Sequence, residues 1–380
     1  MSARFRPVVA AGLLWLAACS PRPTATPTVP RPTLTATASA TTLPPTETAT
    51  LLPTATATAA ETPTPTITPT QTPALIQLTS GGCCVQPAWS PDGQEVWYLD
   101  RPSDASPAGM WGVAVTSGEP RFVTAKLGLY SPDRSLVAYP LGGQTYIERV
   151  SDGERWVVPA GGRAVNFSPD STRIAWQVAS STINFDRRAV QLWVANVDGS
   201  GARSVANLTG GGLGDWLPDG ARVLVSGRDS DDRAGFIATL NVDDGTLTTV
   251  VEAPNLRGAQ TSPDGGWLIY QVAFSGEAAR DGLWVVALAG GEPRRLDLFG
   301  AYRWRSEGRL LLIPLEPGAP AQRLVEIDVA TGTVRPLSDP AVTPVRIAGG
   351  DWALSPDGRR IVFVAAADHN LWLLELPETP

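Results

Sequence analysis

The chain has 380 residues and a formal charge of −7; 18% of its residues are charged and 43% are hydrophobic. This composition supplies enough apolar surface for a folded core. The acidic balance offers no basic face, so we expect no nucleic-acid partner. A single histidine leaves few ways to build a His-based catalytic centre or a zinc site, and we expect no metal and no cofactor.

Residues 1–18 have the pattern of a secretory signal peptide. Arg4 and Arg6 precede the apolar run Val8–Ala18, which is far shorter than the ~20 residues of a membrane-spanning helix. The run ends Leu16-Ala17-Ala18-Cys19, which resembles the lipobox of bacterial lipoproteins. The resemblance implies cleavage before Cys19 and lipidation of its sulfur. An ordinary signal peptide with a chance cysteine is the alternative.

Residues 19–74 are rich in threonine and proline. Between Pro21 and Pro73, twenty of the fifty-three residues are Thr, twelve are Pro and only four are charged. No apolar periodicity is present, so this segment is expected to be a disordered tether. Its composition also resembles O-glycosylated stalks, and a glycosylated stalk and an unmodified spacer both fit.

A turn motif recurs after the tether, in which an aromatic or apolar residue is followed by Ser-Pro-Asp-Gly or a close variant. Its acidic residues lie 37 to 50 residues apart, and a period of roughly 40–45 residues is typical of β-propeller blades. The copies are Trp89–Gly93, Tyr130–Asp133, Phe167–Asp170, Trp216–Gly220, Thr261–Gly265 and Leu354–Gly358, with a degenerate copy at Arg305–Gly308.

Each repeat predicts a four-stranded antiparallel blade. An apolar residue stands four positions after each acidic residue and opens a β-branched or aromatic run, and Gly-containing hairpin turns separate the later strands. The seventh repeat lacks its fourth strand, and Leu75–Thr79 supplies one before the first repeat. Residues 75–380 are therefore predicted to form an all-β, seven-bladed β-propeller that an N-terminal strand closes.

The recurring motif resembles the Pro-Asp, WD-like repeats of TolB-type propellers over essentially all of residues 75–380. The resemblance implies the fold and is much less specific for function. TolB itself looks six-bladed and has a separate α/β domain in front of its propeller, whereas this chain has seven repeats and a tether. Related propellers precede the hydrolase domain of prolyl oligopeptidases. In this sequence no Gly-x-Ser-x-Gly motif occurs and four residues follow Leu376, so no such domain is expected.

Charged loops between second and third strands are expected to share one face with the loops that join blades. The aspartates of the motif are expected to cap turns instead. Segment 228–233 carries three aspartates, and a solvated charged loop is favoured there over a calcium site because the EF-hand spacing is absent. The candidate binding residues on that face are Asp186, Arg187, Arg188, Asp229, Asp231, Asp232, Arg233, Arg280, Asp281, Asp368 and His369.

Cys83 and Cys84 are adjacent and lie between the closing strand and the first blade. Outside the cytoplasm thiols tend to oxidise, and with Cys19 lipidated these two can pair only with each other or with another chain. The sequence is compatible with a vicinal disulfide and with two packed thiols.

These features predict a lipid-anchored, monomeric propeller in the bacterial cell envelope, facing the extracytoplasmic space. Its membrane contact is the lipid on Cys19, and its partner is an unidentified envelope protein or glycan. Because no nucleophile or metal constellation is recognisable, a non-enzymatic binding module is expected. The alternative is a carbohydrate- or lactone-active enzyme with its site at the mouth of the propeller channel.

We predict that Cys19→Ser abolishes lipidation, because the thioether to diacylglycerol forms at this sulfur. Metabolic labelling with a radiolabelled fatty acid should mark the wild-type protein and leave the variant unlabelled. Equal label in both proteins would contradict the lipoprotein assignment.

Overall fold

A computed structural model describes residues 75–378, apart from residue 117 and segments 182–184 and 229–234. The predicted signal peptide, Cys19 and the tether lie outside this part of the chain. None of its helices has the length and apolar character needed to cross a membrane.

Seven antiparallel sheets of four strands each make up the described part, which confirms the predicted seven-bladed β-propeller. We number the blades along the chain. The first strands of blades 1–7 are Val85–Trp89 (β2), Leu129–Tyr130 (β6), Asn166–Phe167 (β10), Gly212–Trp216 (β14), Leu256–Thr261 (β18), Gly300–Ser306 (β22) and Ile347–Leu354 (β26). The second strands are Glu95–Asp100 (β3), Leu136–Leu141 (β7), Arg173–Ala179 (β11), Arg222–Arg228 (β15), Trp267–Val272 (β19), Arg309–Pro314 (β23) and Arg360–Ala365 (β27).

The third strands are Gly109–Ala114 (β4), Gln144–Arg149 (β8), Ala189–Asn196 (β12), Gly235–Asn241 (β16), Gly282–Ala287 (β20), Val325–Asp328 (β24) and Leu371–Glu375 (β28). The fourth strands of blades 1–6 are Arg121–Thr124 (β5), Arg155–Val158 (β9), Arg203–Thr209 (β13), Leu247–Ala253 (β17), Arg294–Arg295 (β21) and Val334–Pro336 (β25). A short 3-10 helix spans Phe185–Arg187. First strands of neighbouring blades approach one another, so they lie innermost.

The strand Leu75–Gln77 (β1) completes blade 7, as predicted. It pairs antiparallel with β28, and Leu75 lies opposite Leu374. Beyond the strand, the Leu78 N–H donates to the Leu371 carbonyl at 2.8 Å, and the Leu371 N–H donates to Thr79 Oγ1 at 2.9 Å. The first and last strands of the propeller therefore share one sheet, which removes the free edge that blade 7 would otherwise expose.

The core lies between blades. Ile147 of blade 2 and Trp176 of blade 3 belong to one apolar cluster, and each is at most 1% exposed. Val96 of blade 1 and Val362 of blade 7 share another cluster, so the apolar packing continues across the closure. Burial of side chains of this size contributes about 1.5–3 kcal/mol each.

The turn after each first strand is built in the same way around the ring. In five blades the motif Ser donates its Oγ–H to the motif Asp. In blade 3, Ser168 Oγ lies 2.5 Å from Asp170 Oδ1 and accepts the Arg173 N–H at 2.9 Å. The residue after the acidic position has a left-handed φ of 60° to 72° in all seven turns. The motif therefore ends every first strand at the same level.

Arginines join neighbouring blades at this level. Arg173 of blade 3 donates to the Gly220 carbonyl of blade 4 and lies 5.3 Å from the centre of the Trp216 ring. Arg360 of blade 7 makes the equivalent bond to Gly93 of blade 1 at 3.0 Å. Each pair adds a charge-assisted hydrogen bond to the contact between two blades.

Blade 6 replaces the motif Ser by Arg305, which explains the degenerate copy. The Arg305 guanidinium donates to Glu326 Oε2 at 2.7 Å, to the Gly358 carbonyl at 2.9 Å and to the Pro377 carbonyl at 2.7 Å. The side chains of Arg305 and Glu326 are 4% and 1% exposed. Removal of one partner of such a buried pair costs about 3–5 kcal/mol. The pair holds Arg305 within blade 6, and its bonds to Gly358 and Pro377 connect blade 6 to blade 7.

We predict that deletion of residues 20–70 leaves the melting temperature unchanged, because it removes no described contact. Deletion of residues 20–80 should lower it by roughly 5 °C or more, since β1 and the bonds of Leu78 and Thr79 are lost. Differential scanning calorimetry of the two truncations checks this. Equal melting temperatures would contradict the role of β1 in closing the ring.

Candidate functional site

A cavity of about 920 Å³ occupies the centre of the ring. Residues on or beside the first strands of blades 1, 2, 3, 4, 6 and 7 line it, so it is the channel around which the blades are arranged. Concave sites of this size with a few convergent polar groups are the usual place for small-molecule binding and catalysis.

One residue of each blade directly precedes the aromatic or apolar residue of the motif, and we call these seven residues the channel ring. In blades 1 to 7 they are Ala88, Leu129, Asn166, Asp215, Gln260, Arg303 and Ala353. Five of the seven line the cavity. Blades 7, 1 and 2 contribute small or apolar side chains to the ring, and blades 3 to 6 contribute polar or charged ones. The channel ring is therefore apolar on one side and polar on the other.

Asp215 is the acid of the channel ring. Asp215 is an exposed residue of β14 on the cavity wall, and partial desolvation raises the pKa of its carboxyl above the ordinary value. Among the described residues no hydrogen bond or ion pair compensates it. A raised pKa favours the protonated carboxyl, which is the form that can donate a proton.

Arg303 is the positively charged residue of the channel ring. One nitrogen donates to the Tyr302 carbonyl at 2.8 Å, and another lies 3.5 Å from the Trp352 carbonyl. Its guanidinium carbon lies 4.9 Å from the centre of the Trp352 ring. Desolvation lowers the pKa of Arg303, and in the described structure no carboxylate pairs with it.

Arg134 is a second unpaired cation on the cavity wall. It occupies the left-handed position of the blade 2 turn, with φ 61°, and donates to the Trp89 carbonyl at 3.3 Å. Its guanidinium lies 5.2 Å from the centre of the Trp97 ring and 5.6 Å from that of Tyr130. Burial lowers the pKa of Arg134, and no described carboxylate forms an ion pair with it.

Aromatic side chains complete the wall. Trp97, Tyr130, Trp216 and Trp352 all line the cavity. Tyr98 is 2% exposed, and desolvation, with a smaller effect of the Asp100 charge, raises the pKa of its hydroxyl to about 12. Tyr98 therefore stays protonated as a hydrogen-bond donor at physiological pH.

The structure does not gather the residues predicted on the charged loops. Asp186 pairs with Arg228 at 3.0 Å, and Arg188 donates to the Gly211 carbonyl at 2.9 Å. Asp186 and Arg188 line a separate cavity of about 590 Å³ between blades 3, 4 and 5. Arg187 ends the adjoining 3-10 helix. Asp229, Asp231, Asp232 and Arg233 lie outside the described residues.

The remaining predicted loop residues take part in local turns. Arg280 pairs with Glu277 at 3.0 Å, and Asp281 accepts the Ser275 N–H at 2.9 Å. Asp368 accepts the Trp372 indole N–H at 3.1 Å and the Asn370 N–H at 3.0 Å. The backbone of His369 has a φ of 53°, and its carbonyl accepts the Cys83 N–H. None of these four residues lines the central cavity.

Cys83 and Cys84 are bonded to each other in the structure, between β1 and β2. Thr79 Oγ1 lies 3.1 Å from Cys83 Sγ, and Cys84 packs in the apolar cluster shared by blades 1 and 7. The disulfide is therefore part of the ring closure. Within the described part of the chain, no three side chains of His, Cys, Asp or Glu are grouped to hold a metal ion.

The sequence analysis missed Asp215 and Arg303, because neither belongs to a charged loop or a known motif. The signal was present in the repeat itself, at the position before the aromatic residue. Alignment of the seven repeats on their acidic residues shows that only blades 4 and 6 carry a charge there.

No protein-family model matches the chain, and no curated protein sequence is significantly similar to it. Among solved structures, an oligogalacturonate lyase in complex with manganese is 16% identical with a TM-score of 0.55, over 81% of this chain and 98% of that one. An acylaminoacyl peptidase from Pyrococcus horikoshii is 16% identical with a TM-score of 0.54, over 78% of this chain and 52% of the peptidase. TolB from Acinetobacter baumannii is 16% identical with a TM-score of 0.39, over 78% and 79% of the two chains.

Similarity to the lyase and the peptidase at these identities establishes the fold alone, that of a β-propeller. The prediction of a non-enzymatic protein is corrected by this comparison, because the lyase and the peptidase, both with TM-scores above 0.5, are enzymes. The lyase is matched over nearly its whole length, so a propeller without an attached hydrolase domain makes up almost all of that enzyme. The lack of a Ser-containing elbow therefore does not argue against catalysis.

Because Asp215 is exposed and solvent screens its charge, we predict that Asp215→Asn raises the melting temperature by about 1 °C or less at neutral pH. A raised pKa means that the charged carboxylate is less favourable in the folded than in the unfolded protein, so the gain should vanish below about pH 4, where both states are protonated.

Asp133→Asn is the matched control and should change the melting temperature in the opposite direction. Desolvation raises its pKa, but hydrogen bonds from Ser131, Ser135 and Ser171 outweigh it and lower the pKa to about 2. This carboxylate stabilises the fold above about pH 4, and the contribution is lost as the pH falls towards 2. Calorimetry of both variants from pH 3 to pH 8 checks the pair. A lower melting temperature for Asp215→Asn at neutral pH would contradict the assignment of an uncompensated charge.

Proposed function

We propose that this protein is a carbohydrate-active enzyme that cleaves a glycosidic bond in the central cavity, with Asp215 as the proton-transferring group. The observation that carries the proposal is the position of Asp215 on the wall of the central cavity, where no described side chain bonds to its carboxyl and partial desolvation raises the pKa. A protein gains no stability from such a group, and perturbed carboxyls of this kind concentrate at functional sites.

The two-sided wall supports a saccharide as the ligand. A sugar ring has apolar C–H faces and a rim of hydroxyl groups, so it needs apolar or aromatic surface together with polar groups. The channel ring supplies Ala88 and Leu129 on one side and Asn166 on the other, and the indoles of Trp97 and Trp216 line the same cavity.

Hydrolysis and elimination both break a glycosidic bond, and in both Asp215 would donate a proton to the leaving oxygen. As the C–O bond breaks, the protonated carboxyl gives its proton to the leaving oxygen and becomes a carboxylate. In hydrolysis a second carboxylate takes a proton from the water whose hydroxide adds to the sugar carbon, and Asp215 regains its proton from solvent. In elimination it takes a proton from a sugar carbon, and a carbon–carbon double bond forms. Either route restores the acid.

Asp351 is the second carboxyl on the cavity wall. It lies on β26 of blade 7, three blades from Asp215 in the ring, and Oδ2 accepts the Gln86 N–H at 3.3 Å. Glycoside hydrolases place two carboxyl groups on either side of the scissile bond. In the proposed enzyme Asp351 is therefore the partner carboxylate that holds or activates water.

We further propose that the enzyme works at the bacterial cell envelope, held by lipid on Cys19 with the propeller in the extracytoplasmic space as a monomer. The signal-peptide pattern and the lipobox-like sequence before Cys19 support this location. Extended polyproline-type chain rises ~3.1 Å per residue, so a tether of the predicted kind would give the propeller a wide reach to envelope glycans.

The proposal predicts that the purified protein releases new reducing ends from at least one polysaccharide in a panel of neutral and acidic glycans. Asp215→Asn should lower the rate by about 10²–10⁴-fold, the usual contribution of a general acid–base group. Asp198→Asn, an exposed hairpin aspartate far from the channel, is the control and should keep full activity. Cleavage that survives Asp215→Asn would contradict the proposal, as would no cleavage of any glycan in the panel.

A further inference from the structure

Three cavities follow one another from the channel to the face of the propeller that carries the loops between second and third strands. Asn166 lines the central cavity and also an intermediate cavity of about 440 Å³. Gln177 and Leu213 line the intermediate cavity and also the cavity of about 590 Å³ beside Asp186, which we call the loop-face cavity. Each cavity therefore shares wall residues with the next one, along blades 3 and 4.

The first strand of blade 4, β14, serves both ends of this path. Asp215 lines the central cavity, whereas Gly212 and Leu213 line the loop-face cavity. The pairing of β14 with β15 shifts register between Leu213 and Trp216, so a β-bulge separates the two parts of the strand. Two residues of strand span roughly 7 Å, so the candidate catalytic carboxyl and the wall of the loop-face cavity are close neighbours along β14.

An aromatic ring forms part of the wall of the loop-face cavity. Phe236 lies opposite Gly227 in the pairing of β15 with β16, and both residues line the cavity. A Cβ at Gly227 would clash with the Phe236 ring, so the ring covers the place of the missing side chain. The ring is half-buried and also packs against the apolar cluster of blades 3 and 4. A ring held in this way offers a flat apolar surface to the C–H face of a sugar.

Polar groups on the same wall are available for hydroxyl groups. Gln177 Oε1 accepts the Leu213 N–H at 2.7 Å, which fixes the amide, and no described group accepts a hydrogen bond from its Nε2. A Cβ at Gly212 would clash with Gln177 Oε1, so glycine is what lets this side chain reach the strand. Arg257 is an exposed residue of β18 on the cavity wall, and no described carboxylate pairs with it. Both side chains therefore present free N–H donors.

We propose that the three cavities bind one glycan chain, with the scissile bond beside Asp215 and further sugar residues of the chain in the loop-face cavity. This inference rests on the proposed function and defines its substrate as a chain long enough to occupy both ends of the path. Phe236 is the surface on which a sugar stacks, and Gln177 and Arg257 donate to hydroxyl groups. Contacts remote from the reacting bond supply binding energy that can be used to orient that bond.

The test is isothermal titration calorimetry with oligomers prepared by partial acid hydrolysis of each polysaccharide in the panel and separated by length. Asp215→Asn is the background, so that chains are not cleaved during the titration. Affinity should rise at least about tenfold from the disaccharide to the longest chains, because only the long chains reach the loop-face cavity. Equal affinity for all lengths would overturn the inference.

Arg257→Ala should weaken the longest chains about 3- to 10-fold and leave the disaccharide unchanged. Phe236→Leu keeps an apolar side chain against the core but removes the flat ring, and it should show the same pattern. Arg280→Ala removes an exposed arginine outside the path and is the matched control, with unchanged affinities. If both substitutions weaken short and long chains equally, or affect neither, the loop-face cavity is not part of the site.

The outcomes separate this inference from the proposed function. Length-dependent binding that requires Arg257, by a wild-type protein that cleaves none of the glycans, would uphold the extended site and contradict the cleavage. Asp215-dependent cleavage with the same kcat/KM for the disaccharide and the long chains, unaffected by Arg257→Ala, would uphold the cleavage and contradict the extended site. No binding of any chain would contradict both.

Discussion

The structure depends on one constraint: seven sheets must close into a ring whose innermost strands all end at the same level. The left-handed residue sets this level in all seven turns, and a Ser–Asp hydrogen bond supports it in five of them. Because the level is shared, residues at one position of every repeat meet around the channel. The closing strand β1 joins the two ends of the propeller in blade 7, and Arg305, paired with Glu326 inside blade 6, donates to the Gly358 and Pro377 carbonyls of blade 7.

A ring built from repeats stabilises the fold in many places, so it tolerates a few unfavourable positions. The apolar clusters of the described structure lie between blades, and none of them needs the charges of Asp215 or Arg303. Asp215 and Arg303 are exposed residues that line the central cavity, and no described side chain forms an ion pair with either of them. The frame therefore keeps its stability independently of the polar side chains that the channel carries.

The repeat motif made the fold predictable from sequence, because the turn chemistry and the strand pattern agree in each copy. Even the closure was predictable, since Leu75–Gln77 replaces the strand that the last repeat lacks. The candidate site in the channel was not predictable, because the charge of a loop does not show which side chains meet at the centre of the ring. Asp186, Arg280 and Asp368 are engaged in local contacts, whereas Asp215 and Arg303 become neighbours of the cavity only through ring geometry. The buried ion pair between Arg305 and Glu326 was not predictable either, because in the sequence Arg305 is only a departure from the motif.

The central claim is that catalysis takes place in the channel and not on the outer loops. A crystal structure of the Asp215→Asn variant, with a bound oligomer of a glycan that the wild-type protein cleaves, tests it most directly. We expect the oligomer in the central cavity, with a glycosidic oxygen within hydrogen-bond distance of residue 215. An oligomer bound instead in the cavity beside Asp186 and Arg188, with the channel empty, would contradict the account.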